Sequence, residues 1–157
     1  MKTVKGDLIK LALDGKFDVI VHGCNCFCTM GKGIAVGIKK EFPTAYKADQ
    51  ETVKGDKSKL GTITHAERAG VVAVNAYTQY KYWEKGTPKK RHVDYDAIRS
   101  CFKRIVEKWG GEGSVTKFGI PLIGAGLAGG DWEIISKIIE EETHGEDITL
   151  VEYDPNA

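Results

Sequence analysis

The sequence predicts an α/β fold in which helices cover both faces of one mixed central sheet, a three-layer α/β/α arrangement. Three observations predict it. Short apolar runs alternate along the chain with segments of helical spacing. One of those runs, Phe17 to Val21, is apolar with little interruption, as a strand covered on both faces requires, and the stretch ending at Ile123 is a second apolar strand. Both give way to a glycine-rich stretch that opens a helical segment.

The elements follow in order. Lys2 to Lys5 reads as a short opening strand, with Gly6-Asp7 as the turn after it and Leu8 to Leu13 as a short helical turn. Phe17 to Val21 is the second strand. Ile34 to Phe42 has helical spacing and ends before Pro43, whose ring disfavours helical backbone in the residue preceding it. Residues 44–60 are polar and read as a further helical piece plus a loop. Leu60 to Ala66 and Val71 to Tyr77 read as two strands joined through Glu67-Arg68-Ala69-Gly70. Residues 79–92 form a loop mixing aromatic side chains with Lys81, Lys85, Lys89, Lys90 and Arg91. That composition suits a solvated basic loop, a lid, or a contact for a larger substrate. Tyr95 to Trp109 is an amphipathic helix with Ile98, Phe102, Ile105 and Trp109 on one face, stopped by Gly110-Gly111. Val115 to Ile123 is the next strand, Trp132 to Glu142 the last helix and Ile148 to Tyr153 the last strand. No linker, repeat or low-complexity tract divides residues 1–157, so one domain is expected.

Charge narrows the partners. The chain carries 23 basic and 22 acidic side chains, a formal net charge of +1, which argues against a broad nucleic-acid-binding surface. No apolar run approaches the roughly 20 residues that span a bilayer, and no signal-peptide apolar region opens the chain, so no membrane partner is expected. The four cysteines then read as reduced thiols, and a cytoplasmic location is expected. Composition leaves the oligomeric state open. The spacing His22-x-Cys24-x-Cys26-x-Cys28 brings alternate side chains to one face of an extended segment. Structural zinc sites, however, pair two close cysteines with a distant second pair, and only Cys101 lies elsewhere. No metal and no cofactor are expected.

The glycine stretches carry the chemistry. The first runs His22-Gly23-Cys24-Asn25 and then Met30-Gly31-Lys32-Gly33-Ile34-Ala35. The second runs Ile123-Gly124-Ala125-Gly126-Leu127-Ala128-Gly129-Gly130. Glycine lets backbone amides turn inward, and a helix N-terminus adds unpaired N–H donors, so two such loops suit a diphosphate. The second stretch matches G-x-G-x-x-G, but too little chain follows it for the two halves of a dinucleotide fold.

Taken together, the chain resembles the macro domain, a fold that binds ADP-ribose. The resemblance rests on Val4-Lys5-Gly6-Asp7-Leu8, on Asp18 through Asn25, on Met30 through Ala35, and on Ile120-Pro121-Leu122-Ile123-Gly124-Ala125-Gly126-Leu127 with Trp132-Glu133 after it. It is most similar to the branch holding terminal ADP-ribose protein glycohydrolase and the yeast ADP-ribose-1″-phosphate phosphatase. The resemblance implies that Asp7 accepts a hydrogen bond from the adenine amino group, with the Leu8 amide beside it. A simple turn or cap role for Asp7 is the alternative. Asn25 would meet the distal ribose, beside Gly23. Met30, Gly31, Lys32, Gly33, Ile34 and Ala35 would line the ribose–phosphate side. Ile123, Gly124, Ala125, Gly126, Leu127 and Ala128 would hold the diphosphate, and a residue near Tyr153 would cover the adenine.

The resemblance also implies what is missing. The glycohydrolase of this branch uses a lysine nucleophile after the fourth strand and an aspartate in the second glycine loop. The matching places here hold Gln79 and Ala128, with Lys81 two residues beyond Gln79. Gln79 forms no Schiff base and Ala128 moves no proton. His22 matches a His-x-Cys-Asn of the phosphatase branch and is expected to act as general base or acid beside the distal ribose, with Asp131 orienting it. A satisfied strand-end imidazole and a helix N-cap are the respective alternatives. The expected activity is hydrolysis of ADP-ribose-1″-phosphate. A glycohydrolase removing ADP-ribose from protein or nucleic acid, with Lys81 in place of the missing lysine, and a non-catalytic ADP-ribose-binding module are the alternatives.

Overall fold

The computed structural model describes residues 1–157. Six strands form one sheet: β1 (Lys2–Gly6), β2 (Val19–Cys24), β3 (Ile63–Arg68), β4 (Val71–Tyr77), β5 (Lys117–Ile120) and β6 (Asp147–Tyr153). Their spatial order is β1-β6-β5-β2-β4-β3. All neighbours run parallel except the edge strand β3, which pairs antiparallel with β4. Five α-helices pack on it: α1 (Leu8–Leu13), α2 (Ile34–Glu41), α3 (Pro43–Gln50), α4 (Tyr95–Trp109) and α5 (Trp132–Glu142). The mixed three-layer architecture expected from the sequence is present.

Strand alternation divides the core into two. Val19, Val21, Val74 and Ala76 join Phe118, Ile120, Ile148 and Leu150 against α4 and α5 through Ile98, Phe102, Ile105, Ile135 and Ile139. Ile20, Cys24, Ala73 and Tyr77 face the other way, against α1, α2 and α3 through Leu8, Ile9, Ile38 and Ala45. Parity along β2 and β4 therefore decides which layer each side chain meets.

Several boundaries differ from expectation. The second strand begins at Val19 and continues to Cys24, three residues past Val21. The fifth strand is Lys117–Ile120 only, because Pro121 has no N–H for the ladder, and residues 121–123 are released into the loop. Val115, 89% exposed, lies outside the strand. The third strand starts at Ile63 because Leu60 to Thr62 continue the turn begun by the 3₁₀ segment 57–59, the Leu60 and Thr62 amides donating back to the Lys57 and Lys59 carbonyls.

Close approach at Gly119 fixes α1 and the start of β2 against the sheet. A Cβ there would lie 2.7 Å from Leu8 Cδ1 and 2.8 Å from Phe17 Cγ. Gly119→Ala is therefore expected to destabilise the chain by about 1–3 kcal/mol through overpacking, measured as a lower urea midpoint at unchanged m-value.

Candidate functional site

The five parallel strands end on the same side of the sheet, and the segments leaving them line one cleft of about 1180 Å³. Carboxyl ends of parallel strands are where open α/β sheets leave a crevice for ligands. Sheet order sets the sequence of walls along it. Asp7, Leu8 and Ile9 beyond β1 and Tyr153 at the end of β6 stand at one end. Residues from Pro121 to Ala128 beyond β5 come next, then residues from Gly23 to Gly37 around the end of β2. Gln79 and Tyr82 to Lys85, beyond β4, close the far end.

Asp7 takes the cap role and also stands in the cleft wall. It is the N-cap of α1, with Oδ1 accepting from the Ile9 amide at 3.0 Å and the Lys10 amide at 3.2 Å, and it also lines the cleft. Two substitutions separate the roles. Asp7→Asn keeps an oxygen acceptor for the cap, so stability should hold while any contact needing the carboxylate weakens. Asp7→Ala should in addition cost about 1 kcal/mol of stability. Denaturation midpoints and ligand affinity of the two variants check this.

The first glycine loop is held by its own side chains and by α3. Asn25 Nδ2 donates to the Thr29 carbonyl at 3.0 Å, and Asn25 Oδ1 accepts from the Phe27 amide at 2.9 Å. Lys59, 7% exposed, donates from Nζ to the Cys26 carbonyl at 2.9 Å, and Gln50 Nε2 donates to the Cys28 carbonyl at 2.8 Å. The thiols do not converge. Cys24 lies against His22, Cys26 Sγ donates to the Gln79 carbonyl, and Cys28 Sγ meets the Asp49 carbonyl. Cys24 also lines the cleft, but burial, followed by nearby acidic and thiol groups, pushes its thiol well above the usual range. It is a protonated thiol, not a nucleophile.

The second glycine loop closes on itself through the Gly130 amide donating to the Gly124 carbonyl at 2.7 Å. Its other side is stapled to the basic loop, because the His92 and Val93 amides both donate to the Ala128 carbonyl, at 2.7 and 3.1 Å. Gly124 takes a φ of +74° directly against Val93, where a Cβ would lie 2.7 Å from Cγ2.

Of the binding residues expected from the resemblance, all but Ala125 line this cleft. The two catalytic expectations need correction. His22 is outside the lining because β2 continues past it, so the imidazole is still within the sheet, 1% exposed, on the layer facing α3. It stands opposite Asn75 in the β2–β4 register, with Nε2 at 2.7 Å from Asn75 Oδ1. Asn75 Nδ2 donates to the Ala45 carbonyl and to Thr64 Oγ1, which fixes Oδ1 as the acceptor and His22 Nε2 as the donor. Burial pulls the His22 pKa down to about 4, the Asn75 bond opposing it only in part, so the ring is neutral near pH 7. Asp131 is also outside the lining. It is the N-cap of α5, with Oδ1 accepting from the Glu133 amide at 2.9 Å. Lys81 lies off the cleft as well, 3.8 Å from Glu84.

Among the lining residues that sequence reasoning did not single out are Thr29, Ile9, Val36, Gly37 and Val151, and Tyr82, Trp83 and Glu84 of the basic loop, where the sequence named only the cations and the aromatic content. The aromatic content of the basic loop was the available signal. Trp83 Nε1 donates to the Thr87 carbonyl at 3.1 Å, and its ring receives Lys32 Nζ at 5.0 Å, so this loop meets the first glycine loop across the cleft. Beyond Asp7, Glu84 is the one carboxylate in the lining; Lys32 and Lys85 supply positive charge.

Comparison with known proteins identifies the family and the fold. The family model for the macro domain matches residues 21–139. The chain is 35% identical to an uncharacterized 17.5 kDa protein of Enterobacteria phage T4, over 99% of this chain and 97% of that one. It is 32% identical to the ADP-ribose glycohydrolase of Bos taurus, over 96% and 88% of the two chains. It is 26% identical to the ADP-ribose 1″-phosphate phosphatase of Candida albicans, over 88% and 90%. Among solved structures, the macrodomain of Thermus aquaticus DarG superposes with a TM-score of 0.69 at 21% identity, covering 98% and 97%, which shows a shared fold.

Proposed function

The chain belongs to the macro domain family, and from that premise we propose that it binds ADP-ribose and hydrolyses the bond between a substituent and the distal ribose, with ADP-ribose-1″-phosphate as the substrate. The observation that carries the reading is the single cleft in which two glycine loops face each other between Asp7 at one end and Gln79 with the basic loop at the other. In this reading the adenine lies between Asp7 and Tyr153, the diphosphate crosses the second glycine loop, and the distal ribose lies near Asn25.

The catalytic assignment moves from His22 to the far end of the cleft. Glu84 is the carboxylate available there to take a proton from a water that attacks the terminal phosphorus. The P–O bond to the distal ribose breaks, its electron pair leaves on the 1″ oxygen, and Lys32 and Lys85 offset the negative charge on the phosphoryl and leaving oxygens. Phosphoryl transfer draws most of its rate from such positioning and electrostatics, so a cleft without a histidine still suffices. A second reading, release of ADP-ribose from an ADP-ribosylated protein, is favoured by the name of the 32%-identical bovine relative and by Lys85 in the lining.

The test measures phosphate release from ADP-ribose-1″-phosphate and ADP-ribose release from a glutamate-linked ADP-ribosylated protein, beside ADP-ribose affinity. Wild type, Glu84→Gln, Lys85→Ala and Lys81→Ala are compared. Phosphate release that falls by about a hundredfold in Glu84→Gln at unchanged affinity supports the phosphatase with Glu84 as base. Release from protein alone, lost in Lys85→Ala and kept in Lys81→Ala, replaces it with the second reading. Binding without either product leaves a module that recognises ADP-ribose and does not turn it over.

A further inference from the structure

A second, smaller cavity of about 280 Å³ lies behind the second glycine loop, lined by Trp83, Lys89, Lys90, Arg91, Gly126, Leu127 and Gly129. It shares Trp83, Gly126 and Leu127 with the main cleft, so the two cavities have a common wall where the basic loop meets the glycine loop. We propose that this cavity is a separate phosphate subsite, which takes a phosphate group carried by the substrate beyond the distal ribose. The proposal rests on the reading of the main cleft as an ADP-ribose site.

Its position follows from topology. The basic loop leaves β4, at the end of the cleft opposite Asp7, so a ligand with its adenine at Asp7 points its distal end here. Its chemistry follows from charge. Three cationic side chains line it and no carboxylate does. None of the three is committed to an ion pair. In a chain with a net charge of only +1, this concentration is local. Lys90 and Lys81 add to burial in lowering the pKa of the adjoining His92, as a positive local field requires. The volume is small against the roughly 300–1,000 Å³ of whole-ligand pockets, which suits one group and not a whole molecule.

The backbone shows that the arrangement is built. Gly129, at a φ of +71°, lets the Lys90–Arg91 backbone lie against the loop; a Cβ there would meet the Lys90 carbonyl oxygen at 2.6 Å and Arg91 Cα at 3.1 Å. The paired bonds from His92 and Val93 to Ala128 hold the same contact. Lys89 Nζ stands 6.0 Å from the Trp83 ring centroid and the Arg91 guanidinium 4.4 Å from that of Tyr95, so aromatic faces orient two of the three cations. A phosphomonoester and a phosphodiester of a nucleic-acid strand offer the same group to these donors.

The test compares wild type with the triple variant Lys89→Ala/Lys90→Ala/Arg91→Ala. Affinity, or KM where a probe is turned over, is measured for ADP-ribose, ADP-ribose-1″-phosphate, an ADP-ribosylated peptide and an ADP-ribosylated single-stranded oligonucleotide. The expected result is ADP-ribose and peptide binding within about twofold of wild type, with a phosphate-bearing probe weakened by about tenfold or more and with a shallower salt dependence. Weakening of the oligonucleotide alone assigns the subsite to a strand phosphate; weakening of ADP-ribose-1″-phosphate would place its phosphate here instead of beside Glu84. Loss of neither overturns the subsite while leaving the main cleft's function intact. Should wild type fail to bind ADP-ribose, the proposed function falls. The pocket then stands only if unmodified oligonucleotide shifts the Gly129 amide resonance in wild type and not in the triple variant.

Discussion

Acidification from about pH 7 to about pH 4 is expected to remove about 3 kcal/mol of stability through His22 alone, and His22→Gln is expected to abolish that part of the loss. The folded-state pKa of about 4 lies below the ordinary value of 6.5, so between those values the unfolded chain binds more protons than the folded one. The stability is therefore fully present above pH 6.5 and disappears as pH falls toward 4. The cause is local. A protonated ring would sit 1% exposed between strands and α3, with only the neutral Asn75 oxygen and the Cys24 sulfur beside it and no carboxylate bonded to it. Asp49, buried nearby, has a raised pKa, chiefly from burial, and contributes with the opposite sign. The readout is accordingly the difference between wild type and variant in urea midpoints across the pH series. Glutamine keeps an N–H for Asn75 Oδ1 and has no proton to gain. A variant curve parallel to wild type would remove His22 as the acid-sensitive group. The same variant bears on chemistry: turnover within about threefold of wild type is expected if His22 only holds the sheet. Collapse of turnover with affinity and folding intact would return His22 to the reaction.

This case marks how far the sequence could be read. Periodicity located every strand and helix, and the glycine stretches pointed to the walls that face the cleft, because glycine at a strand end has few reasons to be there other than a turn or a close approach. For His22 the strand boundary decides. A strand ending at His22 leaves the imidazole at the cleft rim; a ladder continuing to Cys24 puts it in the sheet opposite Asn75, as the satisfied strand-end imidazole that was the alternative. Nothing local to residues 17–25 distinguishes the two, since the partner strand supplies the pairing from residues 72–77. Asp131 had the same ambiguity, and the Glu133 amide resolves it as a cap. The basic loop was harder still. Its composition reads as solvated, and what turns it toward the cleft is non-local: the Gln79–Val93 bridge at its base and the two bonds to Ala128.

Gly126→Asp is expected to abolish ADP-ribose binding while leaving stability within about 0.5 kcal/mol of wild type. A Cβ at Gly126 meets nothing within 4 Å, and Gly126 is absent from the positive-φ glycines, so the fold has no objection to a side chain there. The objection comes from the ligand. Gly126 lines the cleft in the loop assigned to the diphosphate, and a carboxylate about 4 Å from a phosphate charge costs about 4 kcal/mol at an effective dielectric of about 20, or roughly a thousandfold in affinity. Gly126→Asn adds nearly the same volume without the charge, so the gap between the two variants reports electrostatics and should narrow with salt. Gly124→Ala reverses the pattern. Its φ of +74° and the 2.7 Å approach to Val93 make even one methyl costly to folding before any ligand arrives. Calorimetric affinity for ADP-ribose beside denaturation midpoints reads both quantities. Binding by Gly126→Asp close to wild type would mean that the diphosphate does not cross this loop. The assignment of adenine to the Asp7 end, and of the distal ribose to the neighbourhood of Asn25, would then have to be redrawn from the other wall of the cleft.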